Sequence, residues 1–113
     1  MATYSKLKLS ASTSGKGILI AATSSPGTTI HTAHASALDE ITLWGASQHT
    51  ADVVVTVEFG GNSSADLMIV TVPYKAGWVQ LVPGLILTAG VVMQVYASVT
   101  NVIAVNGYVN RIT

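Results

Sequence analysis

The residues able to do chemistry are few, and their spacing is poor for it. The chain has three histidines, five carboxylates and no cysteine among 113 residues. His31 and His34 lie three apart in a segment that reads as a strand. Positions i and i+3 of a strand face opposite ways, so the two imidazoles cannot grip one metal ion together. His49 sits in a loop with Asp52 nearby, which could orient an imidazole. Surface or interface positions are the simpler reading for all three, and at an interface they would make assembly pH-sensitive. Asp39 and Glu40 are adjacent and point apart, the wrong arrangement for a paired acid and base. Asp52, Glu58 and Asp66 are scattered and read, with the other two, as solvated or salt-bridged. Serines abound, but no G-x-S-x-G elbow presents one as a nucleophile. Gly15-Lys16-Gly17 lacks the spacing and helix of a phosphate loop and is simpler as a turn with an exposed lysine. Asn62-Ser63-Ser64 matches a glycosylation sequon, a frequent chance match in loops. Without cysteine there is no disulfide framework, thiolate nucleophile or Cys-ligated zinc. No enzymatic activity, cofactor or metal is expected.

The elements that would position these residues are strands. Val, Ile and Thr supply 36 residues, and β-branched side chains favour a pleated surface. Val53, Val55, Val57 and Phe59 share one face, with Val54, Thr56 and Glu58 on the other. Ile41 and Leu43 oppose Glu40, Thr42 and Trp44; Ile103, Val105 and Val109 oppose Asn106, Tyr108 and Asn110; Leu7 and Leu9 oppose Lys6 and Lys8. Turn residues punctuate the chain at Ser12 to Gly17, Ser24 to Gly27, Gly45 to Thr50, Gly60 to Ser64, Pro73 to Gly77, Pro83-Gly84 and Ala89-Gly90. The strands between them fall at 4–10, 17–23, 28–34, 38–44, 51–59, 66–72, 78–82, 85–87, 92–99 and 102–112. These ten segments, at roughly ten-residue spacing, predict an all-β fold, a single antiparallel sandwich in which eight or nine of them are strands, over residues 1–113. Residues 1–16, polar and glycine-bearing, are expected to leave the body in part as an extended arm. The expected core is Leu7, Leu9, Ile18, Ile20, Ile41, Leu43, Val53, Val55, Val57, Phe59, Ile69, Val95, Ile103, Val105 and Val109.

Charge is scarce. Five basic residues balance five acidic ones, and only 9% of residues are charged beside 50% hydrophobic. A typical soluble domain carries about 25% charged residues. Zero net charge removes the electrostatic footprint of a nucleic-acid binder. No run approaches the roughly 20 apolar residues of a spanning helix. Ile18 to Ala22 is shorter than the apolar region of a secretory signal, and the leucines before it alternate with lysines as in a strand. Burial against other protein subunits best accounts for the missing charge. Two segments, Leu67 to Val72 and Val91 to Tyr96, are apolar on both faces, as either central strands covered by loops or strands at a subunit interface would be. Trp44, Met68, Val70, Val92, Tyr96 and Tyr108 are the interface candidates, since aromatic side chains with a polar handle suit interface cores.

The segments LDEITLWGAS (38–47), ADVVVTVEFGG (51–61), VYASVTN (95–101) and VNGYVNRI (105–112) resemble small virion structural proteins of tailed bacteriophages. The resemblance covers residues 28 to 113 and rests on strand patterning plus a few turn residues. It implies a jelly-roll-like β-sandwich that decorates and cements a capsid, with neck, tail and fibre parts as other places for such a module. No catalytic or binding residues come with it. The expectation is thus a structural protein of the virion, made in the host cytoplasm. Its partners would be the major capsid protein or other virion proteins and further copies of itself, most simply as a trimer, with no nucleic acid and no membrane. The alternative is a receptor- or carbohydrate-binding sandwich of a fibre, neck or tail. Trp44, Trp78 or Tyr108 would then stack on ligand, with Asn106 and Asn110 hydrogen bonding. A third reading, an enzyme, would need His49, Asp52 and another polar group to meet in a pocket.

Overall fold

A computed structural model describes residues 2–113. Nine strands follow in order: β1 Tyr4–Lys8, β2 Ile18–Leu19, β3 Thr28–Thr32, β4 Leu38–Ser47, β5 Val53–Phe59, β6 Leu67–Val72, β7 Val79–Leu87, β8 Val92–Ala97 and β9 Ile103–Ile112. A single turn of 3-10 helix, Ser64–Asp66, precedes β6. Among the described residues no helix is long and apolar enough to cross a membrane.

Alternating side chains make each strand two-faced, and two sheets bury their apolar faces against each other. The first sheet has the order β1-β9-β4-β7, with β2 continuing the β1 edge of β9; the second has the order β3-β8-β5-β6. All pairings are antiparallel. Only β5 and β6 are consecutive neighbours in a sheet; from β6 onward every connection crosses to the opposite sheet. This is the all-β sandwich the punctuation predicts.

The core contains eleven of the expected residues: Leu9, Ile20, Ile41, Leu43, Val53, Val55, Val57, Val95, Ile103, Val105 and Val109. Leu7, Ile18 and Phe59 pack against it half-buried. Ile69 is a correction: it is 65% exposed. Register explains why. Val53, Val55 and Val57 pair with Val72, Val70 and Met68, so the inward face of β6 carries those residues, and Ile69 pairs with outward-facing Thr56.

Two strands that should flank a turn at Pro83-Gly84 are one strand, β7. Its pairing with β4 skips Leu81 and Gly84, two bulges that bend the strand without ending it. Pro83 is tolerated because β7 is an edge strand, where a missing N–H costs no ladder bond on the open side. The bulges also break the two-residue period, so neighbouring Leu81 and Val82 are both buried. β4 likewise runs through Gly45 to Ser47, where a turn was expected. Gly45 faces inward, and a Cβ there would crowd the Leu81 side chain.

The expected N-terminal arm is folded onto the body along residues 4–12. β1 pairs with β9 from Tyr4↔Ile112 to Lys8↔Tyr108, Leu9 is core, and the loop beyond is braced by Lys8 Nζ donating to the Ser12 carbonyl and Ser12 Oγ to that of Lys16.

Candidate functional site

Three surfaces or clusters carry the polar and aromatic residues. The first is a groove on the outer face of the β1-β9-β4-β7 sheet. Trp44 of β4 and Tyr108 of β9 point outward because Leu43 and Val109 beside them point in. Trp44 pairs with Asn106 and Tyr108 with Thr42, so the two rings are diagonal neighbours, 6.1 Å apart between centroids and tilted by 38°. Diagonal cross-strand aromatics lie within contact range. On the opposite flank of Tyr108, the Lys6 ammonium lies 4.7 Å from the ring centroid. Trp78, just ahead of β7, supplies a third ring and is 56% exposed. With Asn106 and Gly107 these rings line an open groove of about 520 Å³.

Gly107 is a structural necessity there. A Cβ at this position would run into the backbone of Thr42 and Leu43. Its N–H donates to Asn106 Oδ1 at 2.9 Å, which ties down the amide oxygen of Asn106. Gly107→Ala should therefore push β9 away from β4, with a loss of about 1–3 kcal/mol typical of overpacking. Thermal unfolding checks this, and an unchanged melting temperature would show that the strands separate freely at that point.

The second cluster is a buried polar bridge between the sheets. Asp39 takes an inward position of β4, directly opposite Arg111 of β9. The guanidinium binds it in bidentate fashion, Nε to Oδ1 at 2.7 Å and Nη2 to Oδ2 at 2.9 Å. From β3 of the other sheet, His31 Nε2 reaches Oδ2 at 2.7 Å, and the His34 backbone N–H donates to the same oxygen at 3.2 Å. Asp39 thus accepts four donors. The Arg111 hydrogen bonds hold its carboxyl well below the usual carboxylate range; burial opposes them, and the His31 and His34 donors add to them. The same ion pair raises the Arg111 pKa. The Ser10 backbone N–H donates to His31 Nδ1 at 3.0 Å, so Nδ1 is the bare nitrogen and Nε2 carries the proton toward Asp39. The nitrogen a general base would use is already occupied, and Ser10 Oγ accepts from the Thr32 N–H. The cluster holds backbone in place. His31, expected at the surface or an interface, is instead buried inside the sandwich; Asp39, expected solvated or salt-bridged, is salt-bridged to Arg111 and buried as well.

The third surface is the outer face of the β3-β8-β5-β6 sheet. Tyr96, Thr56 and Ile69 form a row across β8, β5 and β6, with Val54 and Thr71 in the next. Val54 and Ile69 are exposed. The one carboxylate among the strand residues of this face, Glu58, is buried: Ser25 Oγ donates to it at 2.6 Å and the Gly27 N–H at 2.7 Å. The loop 24–27 therefore closes over the charge, while Val54 and Ile69 stay open.

Of the interface candidates, Trp44 and Tyr108 meet in the groove, and Tyr96 and Val92 lie half-buried on the outer face of the second sheet. Met68 and Val70 pack half-buried against the core, because β6 takes its register from β5. His34 is in the exposed loop after β3, and its Nδ1 accepts from the Ser36 and Ala37 N–H groups. Asn110 donates to Glu40 rather than pointing into the groove. Among the described residues, no group of three or more His, Asp or Glu could hold a metal ion, and both ion pairs centre on Asp39, so none joins His49 to Asp52. No family model, curated protein or solved structure matches this chain.

Proposed function

We propose that this protein is a non-enzymatic structural component of a phage particle, which decorates and stabilises the capsid shell through apolar subunit contacts. The observation that carries the reading is the outer face of the β3-β8-β5-β6 sheet. It exposes Val54 and Ile69 with Thr71 beside them, and its one carboxylate is covered by the chain's own loop. A face that hides its charge and exposes its aliphatics is suited to another protein surface. The strand orders β1-β9-β4-β7 and β3-β8-β5-β6, interleaved by crossings between sheets, support a jelly-roll reading, an architecture common in capsid and lectin domains. The partners are further copies of the chain, as a trimer, and the major capsid protein or another virion protein.

Burying roughly 300 Å² of apolar surface per subunit would contribute about 7–8 kcal/mol before association costs of similar size. The oligomer is then stable, while docking on the shell is weaker and gains from several equivalent contacts. Sedimentation at micromolar concentration should give an oligomer, and cosedimentation with shells lacking the protein should change little between low and moderate salt. Ile69→Asp should abolish one or both while the monomer keeps its β-sheet circular dichroism spectrum, since Ile69 is outside the core. A clean monomer that ignores shells would overturn the proposal.

A second reading, a receptor- or carbohydrate-binding module of a fibre, neck or tail, is supported by the aromatic groove over Trp44, Trp78 and Tyr108.

A further inference from the structure

We infer that the groove on the outer face of the first sheet binds a neutral hexopyranose, as the terminal or internal sugar of a glycan chain. The inference deepens the binding-module reading and is independent of shell docking by the other sheet.

Three features select this ligand class. The first is the rings. Trp44, Trp78 and Tyr108 all border one open depression, and Trp78 is exposed although a large apolar ring gains by burial. A pyranose has one face of C–H groups that can lie on an indole or phenol ring, and hydroxyls around its rim that must stay hydrogen bonded.

The second is the polar complement. Asn106 offers an oriented NH2, because its oxygen is held by the Gly107 N–H. Gln80, exposed and in register with Trp44 on β7, lies outside the groove lining but offers a second amide to a ligand that extends past Trp44. Amides donate to and accept from hydroxyls, which suits a polyol. A purely apolar partner would leave these amides without hydrogen bonds, at a cost.

The third is charge. None of the lining residues is ionic at neutral pH. The Lys6 ammonium lies over the Tyr108 ring from the β1 side of β9, opposite Trp44. It supports the ring and gives no reason to require an acidic sugar. At about 520 Å³ the groove falls within the usual range of roughly 300–1,000 Å³ for small-molecule sites, and its openness suits one or two sugar units of a longer chain.

The test is titration of the intact protein with neutral oligosaccharides of glucose, galactose and mannose, followed by tryptophan fluorescence and calorimetry, with sialylated glycans as the acidic arm. Binding to at least one neutral series is expected, weak for a single site and unaffected by moderate salt. Trp78→Ala should weaken it by about tenfold, the effect of losing one stacking contact. Its melting temperature should stay unchanged, because Trp78 is exposed and lies outside the strands. Asn106→Ala should weaken binding as well, and Tyr74→Ala, an exposed aromatic outside the groove, should leave it intact. No binding to any neutral sugar would overturn the inference, as would binding confined to acidic glycans and lost with salt. A Trp78→Ala variant whose sedimentation changes while sugars never bind would show that a second copy fills the groove instead. Shell cosedimentation reports on the other sheet, so either proposal can fail alone.

Discussion

Asp39→Ala should cost the protein about 3–5 kcal/mol, the loss measured when one member of a buried ion pair is removed. For a chain of this length that is a fall in melting temperature of roughly 10–25 °C. The reason is the bridge's geometry. Asp39 collects two N–H groups from Arg111, one from His31 and one from the His34 backbone, and all four lose their acceptor together. His31 is buried, so water cannot readily replace the carboxylate. A double variant, Asp39→Leu with Arg111→Leu, should recover part of the loss, because it removes the orphaned charge along with its partner. If Asp39→Ala melts with the parent, the bridge contributes nothing beyond packing.

The same carboxyl sets an acid limit. Its folded pKa lies below the unfolded value of about 3.9, so the unfolded chain binds more protons in that interval and stability rises with pH. The contribution is complete above the unfolded pKa and is lost as pH falls below it toward the folded one. Denaturation from pH 6 down to pH 2 should show a steep loss below about pH 4 in the parent. Asp39→Asn should flatten that slope. A parent and variant with parallel profiles would refute the linkage.

Legibility differed from strand to strand for physical reasons. In β4, β5 and β9 one face is clearly apolar, so alternation alone placed Ile41, Leu43, Val53, Val55, Val57, Val105 and Val109 in the core. β6 is apolar on both faces, and its parity was not decidable from its own residues. It is decided by pairing with β5 across the loop at 60–66, which is why Ile69 faces outward and Met68 packs against the core. Bulges hid the rest. β3 shifts register between Thr29 and His31, so Ile30 and His31 are both buried, and no two-residue period announces that. The Asp39–Arg111 bridge did leave a trace: both residues fall on the apolar parity of their strands, with Ile41 and with Val109. Nothing in the local sequence joins positions 72 apart, and only the β4–β9 register does so. Trp44 and Tyr108 were legible as outward aromatics, but their meeting with Trp78 depended on how β7 bends.

Ile41→Ala should cost about 2–5 kcal/mol, the range for emptying a fully buried aliphatic site. Ile41 has no exposed surface and lies between Val109 on β9 and Leu85 on β7 in a strand paired on both sides. The backbone around it has little freedom to collapse into the void, which places the cost toward the upper part of that range. Phe59, half-buried at the end of β5, should lose less on truncation despite its size, and Ile69→Ala should stay within about 0.5 kcal/mol for the dissociated monomer, where its side chain lies outside the core. Urea titration reads all three, and an unchanged m-value would show that stability alone has moved. The order Ile41, Phe59, Ile69 is the sensitive part. Asp39, Ile41 and Leu43 share one face of β4, so a one-residue error in that face would expose Asp39 along with Ile41. An Ile41→Ala variant as stable as the parent would therefore count against the inter-sheet bridge as well as the core, and an Ile69→Ala variant that unfolds readily would return β6 to the opposite register.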